Sequence, residues 1–367
     1  MTITRRLFLK NSALGLALYG LDRLPLPEAG YYSAEDFAKV PKIDTHFHLD
    51  VPNNAFPDLA LSMKFHLVSV NVDAGFPLKE QFEVVKTMKQ RYPGQMDFLG
   101  TFPVDKFGQK SFIKDTIAYI DTNLQAGALG FKVWKNIGMV LKNDQGRFVM
   151  IDDPALAPIF SYLEKKGVPV MGHLGEPKNC WLPENEITLP ADKRYYTRHP
   201  EYHMYKHPEA PTYEQQIMAR RNLLNRHPRL KYVGTHLASL EWSVEEIALD
   251  LDRYPRMMVD VAARMDHLQY QSAQDKDRVR RFLIRYQDRV MYGSDTTIDH
   301  QNSESKATLD ILLKKWKTDW AYLATDSLII EKLKVGDKEM QVSGLKLPRE
   351  VMDKIYRKNA RQFFGIK

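Results

Sequence analysis

Residues 42–48 read Lys42-Ile43-Asp44-Thr45-His46-Phe47-His48, a short run ending in two histidines one residue apart. On a strand, residues two apart point to the same side, so His46 and His48 converge on one point while Phe47 faces the packing. From this stretch onward the chain alternates strand-like and helix-like segments. A second strand is expected over 66–73 with a helix over 78–91, and a third over 96–102 with a helix over 111–125. A fourth follows over 128–134 with a helix over 154–166, and a fifth over 168–173. After an irregular stretch, 174–211, the rhythm resumes with a helix over 213–226, a sixth strand over 230–236 and a helix over 243–253. A seventh strand is expected over 257–261, a helix over 279–286, an eighth strand over 289–294 and a helix over 306–316. Residues 348–364 read as a final capping helix.

Eight such units predict an α/β protein, a single-domain (β/α)8 TIM barrel with a long loop insert after strand five. The rival, an open doubly wound sheet, usually carries a Gly-x-Gly-x-x-Gly turn after its first strand, and this chain has none.

With 44% hydrophobic and 27% charged residues, the chain has the make-up of an ordinary globular protein. Its one cysteine, Cys180, excludes an internal disulfide and a Cys-rich zinc site, so any metal must be held by histidine and carboxylate. The formal charge of +7 is partly a property of the start, where Arg5, Arg6, Lys10 and Arg23 against Asp22 give +3 and leave +4 for the rest. The remainder forms no long basic block, which argues against a nucleic-acid partner. Thr4-Arg5-Arg6-Leu7-Phe8-Leu9-Lys10 followed by a short apolar stretch has the form of a twin-arginine export signal, the other reading being an amphipathic helix. The stretch is too short for a stable membrane anchor. Residues 1–24 are thus expected to be a signal directing the protein to the periplasm, 25–41 a Pro-rich linker, and 42–367 the barrel. If the signal is unused, the protein stays in the cytoplasm.

In such a barrel, reactive side chains sit at the C-terminal ends of strands. Strand one ends in His46 and His48, strand five in His173, strand six in His236 and strand eight in Asp295. Neutral imidazole and carboxylate suit one divalent metal, zinc foremost and manganese as the alternative. Such an ion lowers the pKa of its water toward about 7. Asp295 is expected both to ligate and to take that water's proton, and His236 to act as acid or base beside the metal. His199, His203, His207 and His227 fall in loops or at helix ends and are read as solvated or substrate-facing.

These motifs, Asp44-Thr45-His46-Phe47-His48, Gly172-His173, Thr235-His236, Gly293-Ser294-Asp295 and the ending 355–365, resemble the amidohydrolase superfamily. The similarity is strongest to the branch containing aminocarboxymuconate-semialdehyde decarboxylase and related lactonases, and it runs from Ile43 to the C-terminus. The resemblance implies metal ligation by His46, His48, His173 and Asp295, with His236 catalytic next to a single metal. Lys132, in Gly130-Phe131-Lys132-Val133-Trp134-Lys135, sits where binuclear relatives carry a carbamylated lysine bridging two metals. In that case His173 and His236 would serve a second ion. The other reading gives Lys132, or Lys135, a substrate carboxylate or an acidic partner.

The insert 174–211 is rich in tyrosine, histidine, proline and charge. It is expected to fold over the barrel mouth and shape a substrate pocket, with Glu176 at its rim and Trp134 lining it. The function expected is metal-dependent hydrolysis of an amide, lactone or ester of a small molecule. Non-oxidative decarboxylation of a small carboxylic acid uses the same ligands, and a periplasmic binding protein without catalysis is the alternative from another class. Oligomeric state is not fixed by these features.

Overall fold

The computed structural model describes residues 30–303, 305–335 and 338–367. The twin-arginine-like stretch and the first part of the expected linker lie outside them. Eight parallel strands alternate with helices: β1 Lys42–Leu49, β2 Phe65–Val70, β3 Met96–Leu99, β4 Phe131–Val133, β5 Val170–Gly172, β6 Tyr232–Gly234, β7 Met257–Asp260 and β8 Val290–Met291. A short ninth strand, β9 Thr296–Ile298, follows β8 and pairs with β1.

The strands form two runs, β3-β2-β1-β9 and β4-β5-β6-β7-β8. Backbone hydrogen bonds join the runs at both seams. Gly100 donates to Gly130 and Lys132 to Gly100 (2.9 and 2.7 Å), while Thr45 donates to Tyr292 and Asp295 to His46 (3.1 and 2.7 Å). The ring is therefore closed, as the eight-fold rhythm predicts.

Inside the ring, Ile43, Val68, Val70, Leu99, Met171, Val233, Met258 and Met291 form one apolar layer. Ala360, Phe364 and Ile366 of the C-terminal segment join this layer. A larger layer, including Phe47, Leu49, Phe131, Val133 and Val259, fills the space between strands and helices. The inward and outward sets alternate along each strand, as the pleat requires. β1 is the exception. Ile43 faces inward, and strict alternation would turn His46 outward, but the pairing with β2 shifts register between Asp44 and Phe47. That irregularity puts Ile43 and both histidines on the same side.

Local chemistry sets the helix ends. Thr212 and Gln215 form a capping box before the helix Tyr213–Arg226, and Ser243 and Ser305 cap Val244–Arg253 and Lys306–Ala324. Most expected strands are longer than observed, because their last residues leave the ladder to enter site loops. The final helix is broken into Arg349–Asp353 and Asn359–Phe364 by a wider turn at Lys354–Lys358. Two helices, Ala55–Ser62 and Met265–Gln274, and an antiparallel hairpin, β10 Leu328–Val335 with β11 Lys338–Ser343, were not expected from the sequence.

Residues 30–41 pack onto the barrel. Phe37 is buried, Trp320 Nε1 donates to the Ser33 carbonyl at 2.9 Å, and Lys42 Nζ donates to the carbonyls of Phe37 and Val40. No helix among the described residues is long and apolar enough to cross a membrane.

Phe364 closes the inner layer, so Phe364→Ala leaves a cavity. It is expected to cost about 3 kcal/mol of unfolding free energy in a denaturant titration.

Candidate metal centre

Above the inner apolar layer, the next inward positions of several strands are polar. β1 supplies His46 and His48, β4 Lys132, the end of β5 His173, and the end of β7 Asp260. The loop after β8 supplies Asp295. His46, Lys132, His236 and Asp260 are almost fully buried, and His48 and Asp295 are the more open members.

The geometry at β1 depends on Asp44. Its Oδ1 accepts from His46 N at 3.2 Å and from Ser294 N at 2.9 Å, tying the irregular part of β1 to the loop after β8. Gly293 permits the close approach, since a Cβ there would lie 2.8 Å from the Cβ of His46. Asp295 then adopts φ 56°, its backbone N–H held by the His46 carbonyl.

His48 Nδ1 lies 2.7 Å from the Val70 carbonyl, which can only accept, so the ring hydrogen is on Nδ1 and Nε2 carries a lone pair. His46 Nδ1 lies 3.0 Å from Asp260 Oδ2, and Lys132 Nζ donates to His46 Nε2 at 3.1 Å. His46 Nε2 is therefore a lone pair as well. Both Nε2 atoms approach Asp295 Oδ1, at 3.2 and 3.3 Å. In the neutral rings, three acceptors thus face one another, an arrangement that calls for a cation among them. Two donors each about 2.1 Å from one tetrahedral ion would be separated by about 3.4 Å. His46, His48 and Asp295 fit a metal by that measure.

His173 adds to the fit. It is buried, and its Nε2 has no hydrogen-bond partner, which is costly unless something binds there. Its ring centroid is 4.3 Å from that of His236, which is 5.0 Å from that of His46. Burial, and then the neighbouring His236 charge, holds His173 well below the usual histidine range. His236 is likewise lowered, chiefly by burial. Burial alone would raise Asp295, but the imidazoles of His236, His46 and His48 outweigh it and keep the carboxyl well below its ordinary value.

Lys132 reaches into the centre. Its hydrogen bonds go to His46 Nε2 and, at 3.4 Å, to Thr235 Oγ1, and among the described residues it makes no ion pair. The acid-pairing alternative falls to Lys135, which pairs with Glu176, while Asp260 and Asp295 act on Lys132 only as nearby charges. Burial lowers this amine to about 8.

His236 is held by an unusual backbone. His236, Leu237, Ala238 and Ser239 have φ of 58°, 56°, 60° and 53°, a left-handed turn built without glycine. Each such residue costs on the order of 1 kcal/mol. Buried polar groups hold the turn. Arg220 donates to the Ala238 carbonyl and pairs with Asp250, Tyr213 Oη donates to the Ser239 carbonyl, and Ser239 Oγ donates to the Leu174 carbonyl. His236 Nδ1 donates to the Ala262 carbonyl at 2.8 Å, leaving Nε2 free.

The insert has more structure than its irregular sequence implies. It contains the helix Pro190–Arg198 and three tight turns around its own apolar kernel of Cys180, Ile187, Tyr196 and Met204. It contacts the loops after β4 and β6 and the helix Met265–Gln274 after β7. Glu176 pairs with Lys135, Lys178 N donates to Glu241 Oε1 at 2.8 Å, and Asp192 Oδ2 lies 3.3 Å from His267 Nε2. Glu176 is buried, 4% exposed, so it does not form an open rim. Trp134 is half-buried, with Lys135 Nζ 5.6 Å from its ring centroid. His203 and His227 are not solvated: both are buried, His203 bonded to the Leu182 carbonyl and His227 beside Glu164. His199 is exposed.

Sequence reasoning overlooked Asp260, although a signal was present: it lies two residues beyond Met258, hence on the same inward face. Lys135 was named only as an alternative to Lys132, and its partner Glu176 lies 41 positions further along the chain, outside any local helical pattern that could pair them.

Relatives bear on this geometry. The amidohydrolase family model matches residues 43–366, and the chain belongs to that family of enzymes. Among solved structures, 2,6-dihydroxybenzoate decarboxylase from Rhizobium is 15% identical, covering 89% of this chain and 99% of its own, with a TM-score of 0.50. An uncharacterized TIM-barrel protein from Bordetella bronchiseptica is also 15% identical over 89% and 99%, with a TM-score of 0.49. 4-Oxalomesaconate hydratase from Rhodopseudomonas palustris is 12% identical over 89% and 96%, with a TM-score of 0.46. At such identities the likeness is one of fold. Comparison with curated proteins gave no match.

The Asp192–His267 contact predicts a pH response. Burial lowers His267, but the Asp192 carboxylate 3.3 Å from its Nε2, with Glu241 and Asp266, raises it overall. A histidine raised on folding contributes stability below its unfolded pKa and loses it as pH climbs through the higher folded value. Limited proteolysis within 174–211 is therefore expected to speed up as pH rises above about 6.5. His267→Gln should be cut fast at every pH.

Proposed function

We propose that this chain is a metal-dependent hydrolase acting on an amide, lactone or ester of a small molecule, with His46, His48, His173 and Asp295 holding one zinc ion. The observation that carries the reading is the convergence of two imidazole lone pairs and the Asp295 carboxylate within 3.3 Å, beside an unpartnered buried His173 Nε2. A divalent ion in such a site supplies Lewis acidity and makes hydroxide accessible near neutral pH.

The protein's own groups do the rest. Asp295, ionised and at the open side of the centre, accepts the proton of the attacking water. His236 presents a neutral Nε2, its Nδ1 being fixed by Ala262, and is placed to exchange a proton with the substrate. The insert, latched through Glu176, Lys178 and Asp192, limits water and selects the small molecule. Manganese suits the same ligand types, and zinc is favoured by the imidazole majority.

A second reading has an observation of its own. Lys132 Nζ points at the very atom of His46 that a metal would use. A carbamylated Lys132 would present oxygens there instead of an ammonium, and His173 and His236 would then hold a second ion. The arginine pair near the start carries the further proposal that the enzyme is exported to the periplasm, which cell fractionation tests.

Purified protein is expected to contain zinc and to lose turnover on chelation, with recovery when zinc is restored. One ion per chain fits the first reading, and two with an added carbamate mass on Lys132 fit the second. His46→Ala and Asp295→Asn should each abolish hydrolysis of a panel of lactones, esters and amides. Carbon dioxide release from carboxylic acids, with no hydrolysis in the panel, would replace hydrolase by decarboxylase. Metal-free protein indifferent to chelators would end both.

A further inference from the structure

We infer that Asp260 is the positioning residue of this centre, one buried carboxylate that fixes the ring hydrogen of His46 and pins the backbone of the left-handed turn carrying His236. The inference rests on reading His46 as a metal ligand, and it assigns a role to a residue that no ligand motif marks.

The two oxygens of Asp260 do separate work. Oδ2 lies 3.0 Å from His46 Nδ1, and Oδ1 accepts from His236 N at 2.7 Å. The side chain is fully buried, so neither contact has water as a substitute. Two independent contacts agree on the His46 tautomer. A carboxylate only accepts, which places the hydrogen on Nδ1, and the Lys132 ammonium only donates, which leaves a lone pair on Nε2. A histidine whose Nδ1–H is held by a carboxylate is oriented for ligation through Nε2, and the carboxylate raises its basicity.

His46, His236 and Asp260 are close enough to count as a second candidate metal group. The hydrogen on His46 Nδ1 argues against that use, because the atom facing Asp260 has no lone pair to give. Asp260 is better described as the support on which the neighbouring centre is built. Its other contact falls at the start of the strained turn. His236 N is the first amide of the four left-handed residues, and the carboxylate fixes it where the strand gives way to the turn. The same side chain therefore sets both the ligand lone pair and the path of the chain into the proton-exchanging histidine.

An amide cannot do both. Asparagine has one accepting oxygen for two N–H groups. If that oxygen serves His236 N, the amide NH2 faces His46 Nδ1 and favours the tautomer with hydrogen on Nε2, removing the lone pair. If it serves His46, the NH2 opposes the His236 amide.

The test uses the full-length protein and zinc itself. Zinc affinity is measured by competition with a chromophoric chelator, and Asp260→Asn is expected to weaken it about 10–100-fold, with the apo-protein circular dichroism unchanged. In turnover, kcat should fall more than KM. Equal zinc affinity in the variant and the parent would overturn the inference. Should the variant fail to fold, the parent protein still decides, through nitrogen–proton correlations of the imidazole rings assigned by difference with His46→Gln. Hydrogen on Nδ1 of His46 in the apo-protein supports the inference, and hydrogen on Nε2 overturns it. A parent that binds no zinc yet shows the Nδ1 hydrogen overturns the hydrolase reading while supporting the placement of the His46 ring by Asp260.

Discussion

The hydrogen bonds that close the barrel between β1 and β8 are the ones that build the candidate metal centre. Thr45 bonds to Tyr292, Asp295 to His46, and the Asp44 carboxylate spans from His46 to Ser294. Ring closure and ligand placement are thus one set of contacts. A barrel left open at this seam would lose the approach of Asp295 to the two imidazoles, whatever else survived. Burial pushes Asp44 up to about 6, so its ionised form is maintained against the cost of desolvation by the amides it accepts from.

Much of this was legible in the chain because the features are local. The spacing of His46 and His48, and the glycines before His173 and Asp295, are short patterns whose meaning follows from strand geometry. The eight-fold alternation follows from hydrophobic period, and the helices Leu78–Arg91 and Tyr213–Arg226 fall where that period places them. What escaped is what depends on contacts between distant segments. The register shift in β1 has no residue signature, yet without it Ile43 and His46 could not share a face. The order inside the insert was hidden for the same reason. Cys180, Ile187, Tyr196 and Met204 show no helical or strand period, and they become a kernel only when the turns bring them together. Histidine burial was the least readable of all: His203 and His227 look solvent-exposed in a polar context and are enclosed by distant parts of the chain.

The site concentrates its irregular backbone on the side where chemistry is expected. Asp295 and the turn from His236 to Ser239 all have positive φ without glycine. Arg220 and Tyr213, both on the helix Tyr213–Arg226, donate to the turn's carbonyls, and its own Ser239 reaches the Leu174 carbonyl, so the turn is over-determined. Rigid placement of acid–base groups is what preorganised catalysis requires. The fold supplies it here by holding loops rather than by extending strands.

The insert's separate kernel has an implication for how such enzymes diversify. The kernel packs together and with Met139, apart from the layer inside the ring, and the insert is tied to the barrel by polar latches and by Trp181, which packs against Tyr213. Residues inside the kernel can therefore be exchanged, and the shape of the cover changed, while the imidazoles stay where β1 and its neighbours put them. The packing of the cover and the placement of the imidazoles thus rest on separate sets of contacts.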